Sequence, residues 1–238
     1  MTIGQSHAAL MDSVYRRQRH IYDFTRKYYL FGRDGLIDAM QPKADARILE
    51  IGCGTARNLI RLANRYPGRR LFGLDASEAM LATASQALGR AGLGTSVGLA
   101  HAYAEELTPA LFAESDPFDD IFFSYSLSMI PDWRQALNAA CAALSPTGRI
   151  HVVDFGDLRN LPRPARRALL AWLRFFHVEP RVELLGALEG MAKKFERFEL
   201  LTGRYAFALT STAMGLADLD FSVALRSQAA DKTPVEAP

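Results

Sequence analysis

The chain contains 238 residues, of which 49% are hydrophobic and 23% charged, and its formal net charge is +2 at neutral pH. This is the composition of an ordinary globular protein, and the near-neutral charge gives no reason to expect nucleic acid as a partner. Only two cysteines occur, Cys53 and Cys141, without partners at metal-ligand spacing. That excludes a disulfide scaffold and indicates a reducing compartment.

Neither a targeting segment nor a membrane span is predicted. Residues 1–13 lack the charged and apolar blocks of a secretory signal. No apolar run reaches the roughly 18 residues that a spanning helix requires. We therefore expect a single cytoplasmic domain, which would reach a lipid substrate only as a peripheral protein on the inner face of the cytoplasmic membrane.

The first predicted element is a helical arm over residues 1–40, in which tyrosine and arginine alternate along one face at helical spacing. The six positions are Tyr15, Arg19, Tyr22, Arg26, Tyr29 and Arg33. Such a face suits a ligand with both carboxylates and cations, since arginine pairs with carboxylates and tyrosine rings attract sulfonium or ammonium groups. Alternatively, the arm only packs on the sheet, with its arginines stacked or solvated, through the apolar residues Ile21, Phe24, Tyr28 and Phe31.

From residue 47 onward, apolar strands alternate with helical stretches, which is the pattern of βαβ units around a parallel sheet. Strands are predicted at residues 47–54, 71–75, 96–103, 118–126 and 149–155. Helices are predicted between them at residues 58–66, 77–91, 105–112 and 132–144, with Ser77 as an N-cap.

A helical insertion is predicted at about residues 161–195, followed by a hairpin of residues 198–202 and 205–212 around Gly203. Together these elements predict a Rossmann-like, doubly wound α/β domain over residues 41–226 with a seven-stranded sheet, and a disordered tail at 227–238. The insertion contains an apolar helical stripe formed by Leu169, Trp172, Leu173 and Phe176. Arginines lie opposite that stripe, at Arg163, Arg167 and Arg174. The pattern fits a helix packed on the domain, which we favour slightly, or one lying in a lipid interface.

A tight glycine turn ends the first predicted strand. The segment Glu50-Ile51-Gly52-Cys53-Gly54 lets a ligand approach the backbone at a helix N-terminus. The third glycine of dinucleotide-binding enzymes is missing, because Thr55, Ala56 and Arg57 follow. The turn resembles the E-x-G-x-G turn of class I methyltransferases, whose cofactor is S-adenosylmethionine. Asp75, at the end of the second strand, is placed to accept the ribose hydroxyls of a nucleoside.

This resemblance implies further cofactor contacts. Met80 would flank the adenine, Ala104 and Glu105 would contact it after the third strand, and Ser124 would meet the methionine part. An arginine of the arm would bind the cofactor carboxylate. The complete predicted cofactor set is Glu50, Gly52, Cys53, Gly54, Asp75, Ala76, Met80, Ala104, Glu105, Ser124, Arg26 and Arg33.

The arm carries a narrower resemblance. Residues 15–34 (YRRQRHIYDFTRKYYLFGRD), the Gly52 turn, the end of the second strand and residues 126–133 are similar to betaine-lipid N-methyltransferases of the BtaB type. Those enzymes methylate diacylglyceryl-homoserine three times to give the trimethylated betaine lipid. The resemblance implies that Tyr15, Arg19 and Tyr29 contact a lipid with an amino-acid headgroup. It also implies association with the enzyme that makes the homoserine lipid.

An amine acceptor must lose a proton before each methyl transfer, because its pKa lies near that of free lysine. Tyr22, Tyr125 and His20 are the candidates for orienting the amine or accepting that proton, with Tyr22 first. A plain polar contact is an equal alternative for His20. Other acceptors left open are phosphatidylethanolamine and a quinone precursor. The last alternative is a non-catalytic, cofactor-binding partner of a lipid-synthesis enzyme.

Overall fold

The computed structural model describes residues 32–156, 158, 161–175, 196–200 and 206–212. The helices in these ranges are α1 Arg33–Met40, α2 Arg57–Arg65, α3 Glu78–Arg90, α4 Trp133–Ala143 and α5 Arg163–Phe175. The strands are β1 Arg47–Ile51, β2 Arg70–Asp75, β3 Val97–His101, β4 Phe118–Ser124, β5 Leu144–Phe155, β6 Glu196–Leu200 and β7 Ala206–Thr212. Two short 3₁₀ turns, Ala104–Glu106 and Pro109–Phe112, connect β3 to β4.

These strands form one sheet in the order β3-β2-β1-β4-β5-β7-β6. The pairs among β1 to β5 are parallel, whereas β7 is antiparallel to both β5 and β6. The chain runs outward from β1 to β3 and then returns to place β4 on the other side of β1. The carboxyl ends of β1 and β4 therefore border the topological switch point, where open α/β sheets bind their ligands. The predicted α/β, Rossmann-like class is confirmed.

Successive side chains of the parallel strands alternate between two apolar layers, as strand geometry requires. On one face, Leu49 and Phe123 belong to a buried cluster with Trp133 of α4. On the other face, Ile48 and Phe122 belong to a cluster that includes residues of α1, α2, α3 and α5. The sheet is thus covered on both sides, and its polar groups reach a ligand only at its edges.

The structure corrects one predicted helix. Residues 105–112 were expected to be helical, but they form the two 3₁₀ turns on either side of Leu107 and Thr108. Pro109 has no backbone N–H and disfavours helical geometry in the residue before it, so a continuous helix cannot pass through this point. The predicted N-cap is confirmed, since the Ser77 side chain accepts a hydrogen bond from the Met80 N–H at 3.3 Å.

Helix α5 packs on the domain through its apolar stripe. Leu173 is fully buried, and Leu169 and Trp172 are partly buried against the cluster that contains Tyr125 and Phe155. This is the packed-helix alternative of the sequence analysis; Phe176, the fourth residue of the stripe, lies outside the described residues. Among the helices in the described part of the chain, none is long and apolar enough to cross a bilayer.

A buried charged cluster joins β4 to β5. One oxygen of Asp120 accepts hydrogen bonds from Arg149 Nε at 2.8 Å and from His151 Nε2 at 2.9 Å. Burial lowers the pKa of His151 below its ordinary 6.5, although the Asp120 carboxylate acts in the opposite direction. Burial alone would raise the pKa of Asp120, but its hydrogen bonds with His151 and Arg149 and the charge of Arg149 lower it below 3.8. His151 therefore folds as a neutral imidazole.

We expect the free energy of unfolding to fall as the pH drops below about 6.5. Between the lowered pKa of folded His151 and its ordinary 6.5, the unfolded chain binds the extra proton, so stability increases with pH across that window. Urea unfolding at several pH values measures this slope. His151→Gln should flatten it, while His101→Gln at an exposed ring serves as the control. An unchanged slope in His151→Gln would contradict the assignment.

Candidate functional site

The glycine turn lies against the end of β4. The backbone N–H groups of Gly52 and Cys53 both donate to the carbonyl of Leu74, at 2.8 and 3.0 Å, which fixes the turn to β2. Gly52 has a φ of +75°, and a Cβ built there would lie 2.5 Å from Ser126 Cβ. The Ser126 hydroxyl in turn donates to the carbonyl of Ile51 at 2.8 Å. A glycine is required here both by the backbone conformation and by the close approach of Ser126, in the segment that follows β4.

Gly52→Ala should therefore lower the free energy of unfolding by about 2–4 kcal/mol, adding a left-handed strain of about 1 kcal/mol to an overpacking cost. A double-mutant cycle with Ser126→Gly, followed by urea unfolding, separates the two causes. In the Ser126→Gly background, only the backbone strain should remain. An equal cost in both backgrounds would mean that the Ser126 contact does not explain the requirement for glycine.

Asp75 connects the glycine turn to α3. Its Oδ2 accepts the Gly54 N–H at 2.8 Å and its Oδ1 accepts the Ser77 N–H at 2.9 Å. These bonds orient the half-buried carboxylate at the end of β2. A carboxylate has about four lone-pair positions, so a group held in this way fits the two neighbouring hydroxyls of a ribose. The predicted nucleoside contact is therefore chemically consistent with the residues present.

Two residues predicted for the cofactor support the turn from inside the core. Glu50 is 1% exposed, and its Oε1 accepts a hydrogen bond from Asn58 Nδ2 of α2 at 2.7 Å. Burial, together with the charges of Asp75 and Glu50, raises the pKa of Cys53 well above its ordinary 9.0. The Cys53 side chain is therefore a neutral thiol, and any ligand contact by Cys53 through a charged group is excluded at neutral pH.

The predicted adenine contacts surround the ends of β2 and β3. Met80 is buried among apolar side chains, Ala104 is buried, and Glu105 is exposed on the 3₁₀ turn. The carbonyl of Ala76 lies 3.0 Å from His101 Nε2, which links the segment after β2 to the end of β3. That link was not predicted. These residues border one edge of the sheet, and their roles toward adenine stay predictions.

The predicted fourth-strand residues meet the glycine turn at the switch point. Ser124 ends β4, and the Tyr125 N–H donates to the carbonyl of Val153 at 2.7 Å. Tyr125 has a φ of +56° and is 1% exposed, with its ring 4.8 Å from that of Phe155. This sharp turn directs the ring into the apolar layer. The predicted role of Tyr125 toward the acceptor is not tested by this geometry.

Two functional candidates on this edge, Asp154 and Ser128, were missed by the sequence analysis. Asp154 is fully buried near the end of β5, and its Oδ2 accepts the Ser128 N–H at 2.9 Å, which holds the loop after β4. The hydroxyls of Ser124 and Ser128 are buried without a hydrogen-bond partner in the described part of the chain. A carboxylate inside the apolar run RIHVVDF, and the serine alternation at 124, 126 and 128, are the signals that could have revealed them.

Most of the predicted arm residues lie outside the described residues: Tyr15, Arg19, His20, Tyr22, Arg26 and Tyr29. Arg33 is described and is buried at the first position of α1. Helix α1 is attached to α2 by exposed ion pairs of Asp34 with Arg57 and Arg61, at 3.3 and 3.4 Å. The end of the arm therefore packs beside the helix that follows the glycine turn.

Comparison with known proteins agrees with this geometry. Residues 48–148 match a family described as methyltransferase domain. The chain is 35% identical over 199 residues to the nocamycin O-methyltransferase of Saccharothrix syringae, covering 82% of this chain and 65% of that protein. It is 26% identical over 158 residues to the ubiquinone/menaquinone biosynthesis C-methyltransferase UbiE of Cereibacter sphaeroides, covering 64% and 62%. The chain spans less than two thirds of the length of these curated relatives.

A solved structure shows the same fold. A possible histamine N-methyltransferase from Thermotoga maritima superimposes with a TM-score of 0.64 at 16% identity, covering 85% of this chain and 99% of that one. The parallel sheet and the glycine turn at the switch point agree with the match of residues 48–148 to a methyltransferase domain. The predicted enzyme class and cofactor are supported by this family match. The narrower resemblance to betaine-lipid enzymes is not supported by these matches.

Proposed function

We propose that the protein transfers a methyl group from S-adenosylmethionine to a nucleophile held beside the carboxyl ends of β4 and β5. One observation supports this most directly. The Asp75 carboxylate, which we propose binds the ribose, accepts a hydrogen bond from the Gly54 N–H at 2.8 Å, so this acid and the glycine turn are directly connected. The polar groups left at that edge, Ser124 and Ser128, lie where the transferred group and its acceptor would meet.

When bound, the cofactor supplies an electrophilic methyl group on a sulfonium. The protein contributes orientation, which accounts for much of the acceleration of an in-line displacement. Asp75 would bind the ribose, and the bare backbone at Gly52 would leave room for the methionine part. The Ser124 and Ser128 hydroxyls would bind polar atoms of the ligands, since buried hydroxyls gain most from a hydrogen-bond partner. Asp154 would hold the loop that carries Ser128.

As the acceptor we propose the amine of diacylglyceryl-homoserine. Support comes from residues 15–34, whose alternating tyrosines and arginines match the cationic amine and the carboxylate of that headgroup. The protein would then work at the inner face of the cytoplasmic membrane, beside the enzyme that supplies the homoserine lipid.

The second candidate acceptor is a quinone precursor, since the chain is similar to UbiE over most of its own length. A quinol ring carbon is the nucleophile in such a reaction, and it carries neither an ammonium group nor a carboxylate. The tyrosine and arginine face of the arm would then have no direct ligand. This difference lets one experiment separate the two candidates.

The deciding experiment follows methyl transfer from labelled cofactor to diacylglyceryl-homoserine, phosphatidylethanolamine and a demethylated quinol in mixed micelles, after cofactor binding has been established by calorimetry. Our proposal requires that the homoserine lipid receive label faster than the other two. Faster labelling of the quinol would replace the proposed acceptor by the second candidate. Binding of NADH in place of S-adenosylmethionine would overturn the methyltransferase proposal itself.

Tyr22 offers a sharper test of the arm. Tyr22→Phe should lower turnover on the homoserine lipid at least tenfold, a typical size for one proton-transfer contact, while cofactor affinity changes little. Turnover and calorimetric affinity are measured on the same preparation. Tyr28→Phe, which removes a tyrosine hydroxyl from the side of the arm assigned to packing, is the matched control. Parallel losses of turnover and affinity would make Tyr22 a cofactor contact rather than an acceptor contact.

A further inference from the structure

Four arginines form one exposed face of α5. Arg163, Arg166, Arg167 and Arg174 are all exposed, and helical geometry places them within an arc of about 100°. The side of the helix that runs from the edge of this arc at Leu173 round to Trp172 packs against the core. Because the apolar side of α5 packs against the core, the arginine face has a fixed orientation relative to the domain.

The arginine face is not neutralised by its own helix. Residues 161–175 contain no aspartate or glutamate. In the described part of the chain, no ion pair or hydrogen bond to an acidic side chain involves these four arginines. The exposed arginines of α2 behave differently, since Arg57, Arg61 and Arg65 pair with acids of α1. Four cations on one face exceed the net charge of the entire chain, which is +2.

The position of these cations opposes helix stability. Arg163, Arg166 and Arg167 lie in the first five residues of α5, whose first turn carries no acidic residue. The positive end of the helix dipole repels cations there, whereas acids would be stabilising. An anionic ligand outside the helix would compensate this charge.

We propose that the arginine face of α5 docks the protein on an anionic lipid surface. Clusters of basic residues on an amphipathic helix are attracted to anionic headgroups. Half-buried Leu170 lies within the arc, which gives the face an apolar centre suited to an interface. Nucleic acid fits less well, since a pI of about 8.6 is below that of typical nucleic-acid-binding domains and no aromatic side chain lies among the arginines.

Docking by this face goes beyond methyl transfer and does not depend on which acceptor is used. Trp172 and Leu173 attach α5 to the apolar layer that also contains Tyr125 and Phe155, at the acceptor side of the sheet. The same surface would therefore keep the acceptor edge close to the membrane. Within the described residues of the apolar stripe, Leu173 is buried in the core and Leu169 and Trp172 are partly buried against it, so the proposed lipid contact is assigned to the arginine face.

The test measures binding of the full chain to vesicles of phosphatidylcholine alone and of phosphatidylcholine with about one third phosphatidylglycerol. Neither vesicle contains an amino-lipid acceptor. The test variant removes three charges from α5 and is Arg163→Gln/Arg166→Gln/Arg167→Gln. The control variant removes three charges from α2 and is Arg57→Gln/Arg61→Gln/Arg65→Gln. Circular dichroism verifies that both variants fold, and Arg174→Gln alone provides a milder change if the triple variant does not.

We expect the protein to bind the anionic vesicles only, and salt should weaken this binding. The α5 substitutions should weaken the affinity about tenfold or more. The α2 substitutions should weaken it less than about threefold. Equal weakening by both triple variants, or equal binding to neutral vesicles, would overturn the proposal. Tighter binding to duplex DNA than to the anionic vesicles, lost in the same α5 variant, would assign the face to nucleic acid instead. Cofactor affinity, measured in parallel, reports separately on the methyltransferase proposal.

Discussion

Replacement of Asp75 by alanine should weaken S-adenosylmethionine binding by about 100-fold or more, because a hydrogen bond to a charged group contributes about 1.5–3 kcal/mol and two ribose hydroxyls lose theirs. The substitution also removes the acceptor of the Gly54 and Ser77 N–H groups, so the glycine turn loses its connection to α3. Isothermal calorimetry with S-adenosylmethionine and with its demethylated product measures the change.

Asp75→Asn separates these contributions. The amide keeps one acceptor oxygen but loses the charge, so an intermediate loss of about tenfold is expected. Glu78→Gln, at an exposed carboxylate of the first turn of α3, is the matched control and should leave the affinity unchanged. If Asp75→Ala bound the cofactor as well as the unaltered protein, the ribose would have to be bound elsewhere.

Local sequence signals located the cofactor side of the site. Gly52 and Gly54 can be recognised in the sequence because few other residues tolerate the positive φ of this strand-to-helix turn. Asp75 is visible because a polar residue interrupts the apolar pattern where β2 ends. Both signals depend on a few adjacent residues. The rule that ligands bind at the carboxyl ends of parallel strands then brings them together without any knowledge of side-chain contacts.

The acceptor side depends on contacts between distant residues, which one sequence does not reveal. Ser126 bonds to Ile51, and Asp154 bonds to Ser128, across 75 and 26 positions of the chain. The direction of the Tyr125 ring follows from a positive φ that is rare outside glycine. For α5, the periodicity identified an apolar stripe but not whether core or lipid would cover it. Burial of Leu173 in the core answers that question.

A large loss of stability is expected from Asp120→Ala. Removal of one partner from a buried ion pair costs about 3–5 kcal/mol, because the remaining charge stays in a poorly solvated site. Asp120 and His151 are almost fully buried, whereas the side chain of Arg149 is 31% exposed and can regain water, so we expect a loss of about 3 kcal/mol. In a chain of this size, that loss lowers Tm by about 6–12 °C.

We expect the stability lost in Asp120→Ala to result from the burial of the cluster and not from the presence of an ion pair as such. Two further variants test this. Asp116→Ala removes a carboxylate that pairs with Arg47 but is 59% exposed, and it should cost less than about 1 kcal/mol. Asp120→Leu/His151→Leu replaces the buried polar pair by apolar side chains and should recover much of the lost stability. Cofactor affinity should survive all three changes, because Asp120 lies opposite Ile48 near the start of β1, away from the edge where the glycine turn meets Ser126. Comparable destabilisation by Asp116→Ala and Asp120→Ala would show that burial of the cluster does not determine its contribution to the fold.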